Sequence, residues 1–192
     1  MAMQSLRGET DALLLIDLAD DAFIVVDWGR KDYWWRGSSA DFPESPTVSK
    51  VRLFRGDGAR LPFMLEQPSE LSALMWLVGL NAFRTGPAWW LGEGMRYRLS
   101  RWPDFTMLAH DLDDVNMTAL LSKGALSVNE LASASGVEPM RAQRLINALS
   151  LMGQLREVVA GPPVESARVE TAPVSIPVTR GLFKRLRARL GV

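Results

Sequence analysis

Along the first hundred residues the apolar positions fall in short, separated runs. Residues 13–18 (LLLIDL) and 23–28 (FIVVDW) are rich in large and β-branched side chains, with Ala19-Asp20-Asp21-Ala22 between them. Two such runs predict a hairpin or a pair of sequential strands. Residues 33–36 (YWWR) are a third strand candidate. Residues 41–47 (DFPESPT) hold two prolines and read as a loop. Residues 48–54 alternate, with Val51 and Leu53 on one face and Lys50, Arg52 and Phe54 on the other, and Gly56-Asp57-Gly58 closes them as a turn.

At residues 69–83 the period changes. Leu71, Leu74, Met75, Val78 and Ala82 recur at helical spacing behind Pro68. Ser69 is the expected cap, and Glu70 lies near the positive end of the helix. The segment is apolar on most sides, so it is expected to be buried against a sheet. Residues 88–91 and 95–99 flank Gly92-Glu93-Gly94 and predict a second hairpin. Arg96 and Arg98 would alternate there with Met95, Tyr97 and Leu99.

Residues 111–123 return to helical spacing through Leu112, Val115, Ala119 and Leu120, with Gly124 as the stop. Ser127 and Glu130 have the S-x-x-E spacing of a capping box. That predicts a short second helix ended by Gly136. Pro139 suits the first position of a third helix, since its missing N–H is not needed there. Ala142, Leu145, Ile146, Leu149 and Met152 mark its buried side, and Gly153 ends it. Residues 154–159 (QLREVV) then read as the first strand of a wing.

This order, with GALSVNELA followed by a short glycine turn, a third helix, glycine and a strand, resembles the winged helix-turn-helix superfamily over residues 111–159. The resemblance implies a recognition helix whose outward residues face a partner. Glu138, Arg141, Gln143, Arg144 and Asn147 are the outward candidates. Arg, Gln and Asn suit guanine and adenine edges. Fold does not fix function, however, and members of the superfamily also serve as docking modules.

Charge decides between those uses. Formal net charge is zero but unevenly spread. Residues 1–103 carry 12 Lys/Arg against 13 Asp/Glu, residues 104–160 carry 4 against 7, and residues 161–192 carry 6 against 2. Affinity for DNA comes largely from neutralised phosphates. An acidic helical unit with no basic wing therefore favours protein docking over DNA reading.

The composition closes off several chemistries. There is no cysteine and a single histidine, His110. Thiolate nucleophiles, disulfides and the usual zinc ligand sets are thereby excluded. No segment reaches the roughly 20 apolar residues of a membrane-spanning helix. The N-terminus lacks the pattern of a secretory signal, so a cytoplasmic location is expected. Gly92-x-Gly94 reads as a turn and not a nucleotide fingerprint. Asp17, Asp20, Asp21 and Asp27 are a weak carboxylate cluster, better read as a polar turn. No catalytic residue, metal site or cofactor is expected.

Seven tryptophans are many for 192 residues. Trp34/Trp35 and Trp89/Trp90 are consecutive, so one ring of each pair should face outward on a strand. With Arg36, Arg96 and Arg98 nearby, they are candidate partner-binding aromatics. Residues 161–178 contain four prolines and read as an extended linker. Residues 179–192 form a basic amphipathic segment in which Phe183, Lys184, Arg185, Arg187 and Arg189 could dock on an acidic surface or an anionic membrane.

The sequence thus predicts an α+β chain. A mixed α/β domain would span 1–103, a winged helix 104–160, a linker 161–178 and a docking segment 179–192. The expected role is that of a non-enzymatic, bacterial-type regulatory or adaptor protein that binds a protein partner. The alternative is a DNA-binding regulator with an N-terminal sensing domain.

Overall fold

Leu18 N–H reaches the Ala22 carbonyl at 2.7 Å and closes the first turn, joining β1 (Ala12–Leu18) to β2 (Phe23–Asp27). The computed structural model describes residues 12–19, 22–55, 67–83, 85–92 and 94–159. Within them the chain is α+β. The strands β3 (Asp32–Trp34), β4 (Val48–Arg55) and β5 (Ser69–Glu70) complete an antiparallel sheet in the order β4-β1-β2-β3-β5. Leu14, Ile24, Val26 and Tyr33 face one side, and Leu15, Val25 and Trp34 face the other. All seven are buried. Burial on both faces explains why these runs are continuously apolar instead of alternating.

The helix α1 (Leu71–Asn81) lies on the first of those faces. Leu71, Leu74 and Leu77 pack on the sheet. Trp76, helped by Leu80 and Phe83, packs the opposite way into a second core. A helix buried from two sides needs no polar stripe, which accounts for the all-round apolarity of the segment. Ser69 does not cap it. Ser69 and Glu70 pair with Tyr33 and Asp32 as a short edge strand, Glu70 takes the N-cap position, and its side chain makes no cap bond.

The second core is built from α2 (Leu112–Lys123), α3 (Val128–Ser135) and α4 (Pro139–Leu151). The local signals act here as expected. Ser127 and Glu130 form a reciprocal capping box, Gly136 ends α3 at φ 73°, and Pro139 opens α4. Asp111 and Asp114 make a second capping box at the start of α2. Gly124 ends that helix in extended backbone, which any residue can adopt, so its glycine is not required by φ.

The second hairpin does not form. Residues 88–91 make a turn, with Leu91 N–H donating to Ala88 O at 2.9 Å. The strand β6 (Arg96–Leu99) instead pairs antiparallel with β7 (Leu155–Val158), from Arg96 opposite Val158 to Leu99 opposite Leu155. Its other edge exchanges two bonds with Leu126, through Tyr97 N–H at 2.8 Å and Leu126 N–H at 3.0 Å. The strand expected to open a wing therefore finds its partner upstream of α2. Described elements on both sides of residue 103 share one core and belong to one compact unit. The expected linker (161–178) and the tail segment with Phe183, Lys184, Arg185, Arg187 and Arg189 lie outside the described residues.

Candidate interaction surface

Helix α4 is where the expected contact residues should stand. Its buried stripe is wider than its sequence suggests, because α1 crosses it closely. A Cβ placed on Gly79 would lie 2.2 Å from Ala148 Cα. The two backbones touch at that point, and only glycine permits it.

This crossing changes the position of the polar residues of α4. Asn147 is 0% exposed and Gln143 is buried beside it. Gln143 Nε2 donates to Asn147 Oδ1 at 2.9 Å. Asn147 Oδ1 also accepts from Ala88 N–H at 3.0 Å, and Asn147 Nδ2 donates to Gly86 O at 3.2 Å. The amide thus latches residues 86–88 to the helix and satisfies backbone groups that would otherwise be buried unpaired. Gln143 and Asn147 are not outward contact residues.

Arg141 is held as well. It donates to Asp111 at 2.7 Å and to Asp114 at 2.8 Å. Asp114 is only 2% exposed, so the guanidinium balances a charge taken out of water. Burial pushes the Asp114 carboxyl above its ordinary value, although Arg141 and the Asp111 backbone pull the other way. Asp111 lies nearer the surface. Its carboxyl sits below the ordinary value, held there by the Asp114 backbone and Arg141 against the opposing effect of desolvation. Arg144 is half-buried, and its Nε has no hydrogen-bond partner among the described residues. Of the five expected outward residues, two are buried, one is tied into the cap of a neighbouring helix, Arg144 is half-buried and Glu138 is exposed.

The tryptophans divide in a similar way. Trp34 is buried beneath the sheet, and Trp35 is half-buried edge-on to Phe42 at 5.4 Å between centroids. Trp90 packs edge-to-face on Phe83 at 5.2 Å, and its indole N–H donates to Ser150 Oγ at 2.9 Å. Only Trp89 of these four is open, at 61%. The arginines beside them have other duties or stand apart. Arg96 pairs with Glu130 at 2.9 Å, and Arg98 is exposed on β6. The opposite-face rule applies to neither pair as expected: Trp89 and Trp90 lie in a turn and not on a strand, and Phe42 covers Trp35.

A more open apolar surface lies elsewhere. The Arg141–Asp111 bond brings the start of α4 to the start of α2. There Leu112 is 72% exposed and Met140 is also open; Met107, at the end of the short turn Phe105–Met107, is open as well. Trp102, exposed, stands edge-on to Phe105 at 6.4 Å, and Phe105 contacts the His110 ring at 4.8 Å. Asp104, Asp111, Asp113 and Glu138 surround these side chains in sequence, and all four are exposed. Spacing did not mark this patch: the helical period groups Leu112 with Val115, Ala119 and Leu120, whereas α2 buries Met117, Thr118 and Leu121 and leaves Leu112 outside.

The carboxylates of the first sheet have local partners. Asp17 accepts both oxygens' bonds from Arg52 at 3.0 Å, and Asp27 accepts from Arg30 N–H at 3.0 Å. His110 Nδ1 lies 2.8 Å from Leu108 O. Among the described residues no three His, Cys, Asp or Glu side chains gather as a metal site. No described helix is long and apolar enough to cross a membrane. No protein-family model, curated protein or solved structure matches the chain.

Proposed function

We propose that this is a non-enzymatic adaptor or regulatory protein of the cytoplasm that docks a protein partner. The tri-helical half, read as a winged-helix derivative, presents the docking face. Leu112, Met107, Met140 and Trp102 form its apolar part, and Asp104, Asp111, Asp113 and Glu138 give it an acidic rim. That combination fits a basic amphipathic segment. Apolar side chains open to water amid like charges are the observation that carries this reading. Trp89 supplies a second anchor.

DNA reading is the weaker use of the same unit. Gln143, Asn147 and Arg141 are committed inside the protein. A helix that serves as a packing partner for α1 has few side chains left to offer a groove. The test is quantitative affinity capture with wild-type protein and a Leu112→Asp/Met140→Asp variant. We expect a specific protein to be captured by the first and lost from the second, with both equally folded by circular dichroism. An unchanged set of captured proteins would remove the docking face from consideration.

A further inference from the structure

The five-stranded sheet ends in two edges of different kinds. One is β5, two residues long, and it runs directly into α1, whose Leu71 N–H donates to Lys31 O at 2.7 Å. So short an edge offers no ladder to another chain. The other edge is β4, eight residues long. Among the described residues it pairs only with β1, so its outer side presents a row of N–H and C=O groups that no described strand completes.

The side chains of β4 are as open as its edge. Leu14 and Leu18 of β1 pack with α1 and are 3% and 6% exposed. Their partners across the ladder, Leu53 and Val48, are 40% and 51% exposed, and Val51, opposite Ile16, is 45% exposed. The cover that α1 gives the sheet therefore stops at β1. Every residue from Val48 to Leu53 is exposed. A long strand with an open edge and open apolar side chains is a template for another strand.

Charge decides what that strand is. β4 carries Lys50, Arg52 and Arg55 and no acidic residue. Lys50 and Arg52 share the face opposite Val51 and Leu53. Lys50 has no ion pair among the described residues, and Arg52 is paired with Asp17 at 3.0 Å. A second copy of this chain fits poorly. An antiparallel pairing centred on Val51 sets Lys50 opposite Arg52 of the second copy, and one centred on Arg52 sets the two Arg52 side chains opposite each other. Like charges in those positions are destabilising, and cations on an edge strand guard against self-pairing. The same cations attract carboxylates. The ladder has one interruption. Ser49 is the extra residue between the Asp17–Lys50 and Leu18–Val48 pairs, and its Oγ donates to Asp17 O at 3.1 Å. The regular edge is therefore residues 50–55.

We propose that residues 50–55 receive a strand from an acidic protein partner, an extended segment in which glutamate or aspartate alternates with β-branched apolar residues. Its carboxylates lie along Lys50 and Arg52, its apolar side chains lie along Val51 and Leu53, and its main chain completes the ladder. This edge shares no residue with the apolar docking face of the tri-helical half, so it stands whether or not that face binds a partner.

The probe is a fluorescein-labelled octapeptide that alternates glutamate and valine, titrated with the full chain at low salt to about 1 mM and read by anisotropy. One control peptide has lysine for glutamate. The other has every backbone amide methylated, so that it cannot donate to a ladder. Amide hydrogen exchange with and without peptide locates the contact. The expected result is saturable binding of the acidic peptide, at least tenfold weaker for either control, with exchange slowed in residues 50–55. Lys50→Glu should weaken binding about tenfold. Lys50→Thr keeps β propensity and adds no repulsion toward Asp17, and it should weaken binding about threefold. The Leu112→Asp/Met140→Asp variant should bind as the wild type does. Absence of saturable binding overturns the proposal. So does equal binding of the acidic and lysine peptides, or slowed exchange confined to residues outside 48–55. Self-association in sedimentation that itself slows exchange in residues 50–55 would assign the edge to a second copy and overturn it too.

Discussion

Replacing Gly79 by alanine tests the α1–α4 crossing, on which the reading of α4 depends. On helix propensity alone the change should help, by up to about 1 kcal/mol. The structure reverses that expectation. The new Cβ would lie 2.2 Å from Ala148 Cα, 2.7 Å from Ala148 N and 2.9 Å from Ala148 Cβ. Ordinary carbon–carbon contact is roughly 3.5–4.0 Å. The first two atoms belong to backbone and cannot rotate away, so the helices must part by more than about 1 Å. Overpacking costs roughly 1–3 kcal/mol, and a clash with backbone atoms this short belongs at the upper end, about 2–3 kcal/mol. The net loss for Gly79→Ala is then about 1–2 kcal/mol, and Gly79→Val should lose about 3 kcal/mol because propensity no longer compensates. At about 2–4 °C per kcal/mol for a domain of this size, the alanine variant should melt about 2–8 °C lower. Urea titration followed by far-ultraviolet circular dichroism measures the difference. Gly86→Ala is the control, because nothing lies within 4 Å of its added Cβ. An alanine variant at Gly79 as stable as wild type, or more so, would show that α1 does not press on α4.

The remaining expectations concern the polar groups of the same core. Asn147→Ala leaves the Ala88 N–H and Gly86 O without their partner and should cost about 2–3 kcal/mol, read by urea denaturation; a cost below about 0.5 kcal/mol would contradict the latch. Arg141→Ala strands the buried Asp114 carboxylate and should cost about 2 kcal/mol at pH 7. Without its guanidinium the Asp114 carboxyl rises further, so it takes up a proton as pH falls toward 4 and the cost should shrink; a pH-independent cost would contradict this. Glu130 behaves oppositely. The Ser127 backbone N–H and Arg96 hold its carboxyl below the ordinary 4.5, so its contribution is fully present above that value and is lost as pH falls through the folded value. Glu130→Gln should therefore flatten the acid limb of the stability curve, and an unchanged limb would assign that loss to other carboxylates.

Short-range chemistry was readable in the sequence. Ser127 with Glu130, Gly136, Pro139 and Gly153 mark helix ends by interactions within a few residues, and each acts where its spacing implies. The apolar runs of β1 and β2 were readable for the same reason. Pairings across long separations were not. Gly92 and Gly94 suggest a turn that joins residues 95–99 to 88–91, whereas the ladder of residues 96–99 lies with residues 155–158. Pro87 and the Ala88–Leu91 turn make the nearer pairing unavailable.

The site residues failed or held on the same distinction. Helical spacing correctly put Leu145, Ile146 and Leu149 inside, but it left Gln143 and Asn147 outside because amides are usually exposed. What buries them is the backbone of residues 86–88, some sixty positions away. A trace of this exists in the sequence: Gly79 interrupts the apolar run of α1, and a glycine there marks a close approach. Arg141 likewise reads as an ordinary solvated residue until Asp111 and Asp114 are placed beside it. The exposed patch of Leu112, Met107 and Met140 was invisible to a search for aromatics.

The central claim is that α4 serves the interior and leaves this unit without a DNA-reading face. Fluorescence anisotropy of a labelled random-sequence duplex, titrated with the full chain and with residues 1–160 at two salt concentrations, tests it directly. The account predicts no binding by residues 1–160 at either salt. Salt-sensitive binding by that fragment, lost on Arg141→Ala/Arg144→Ala, would contradict it.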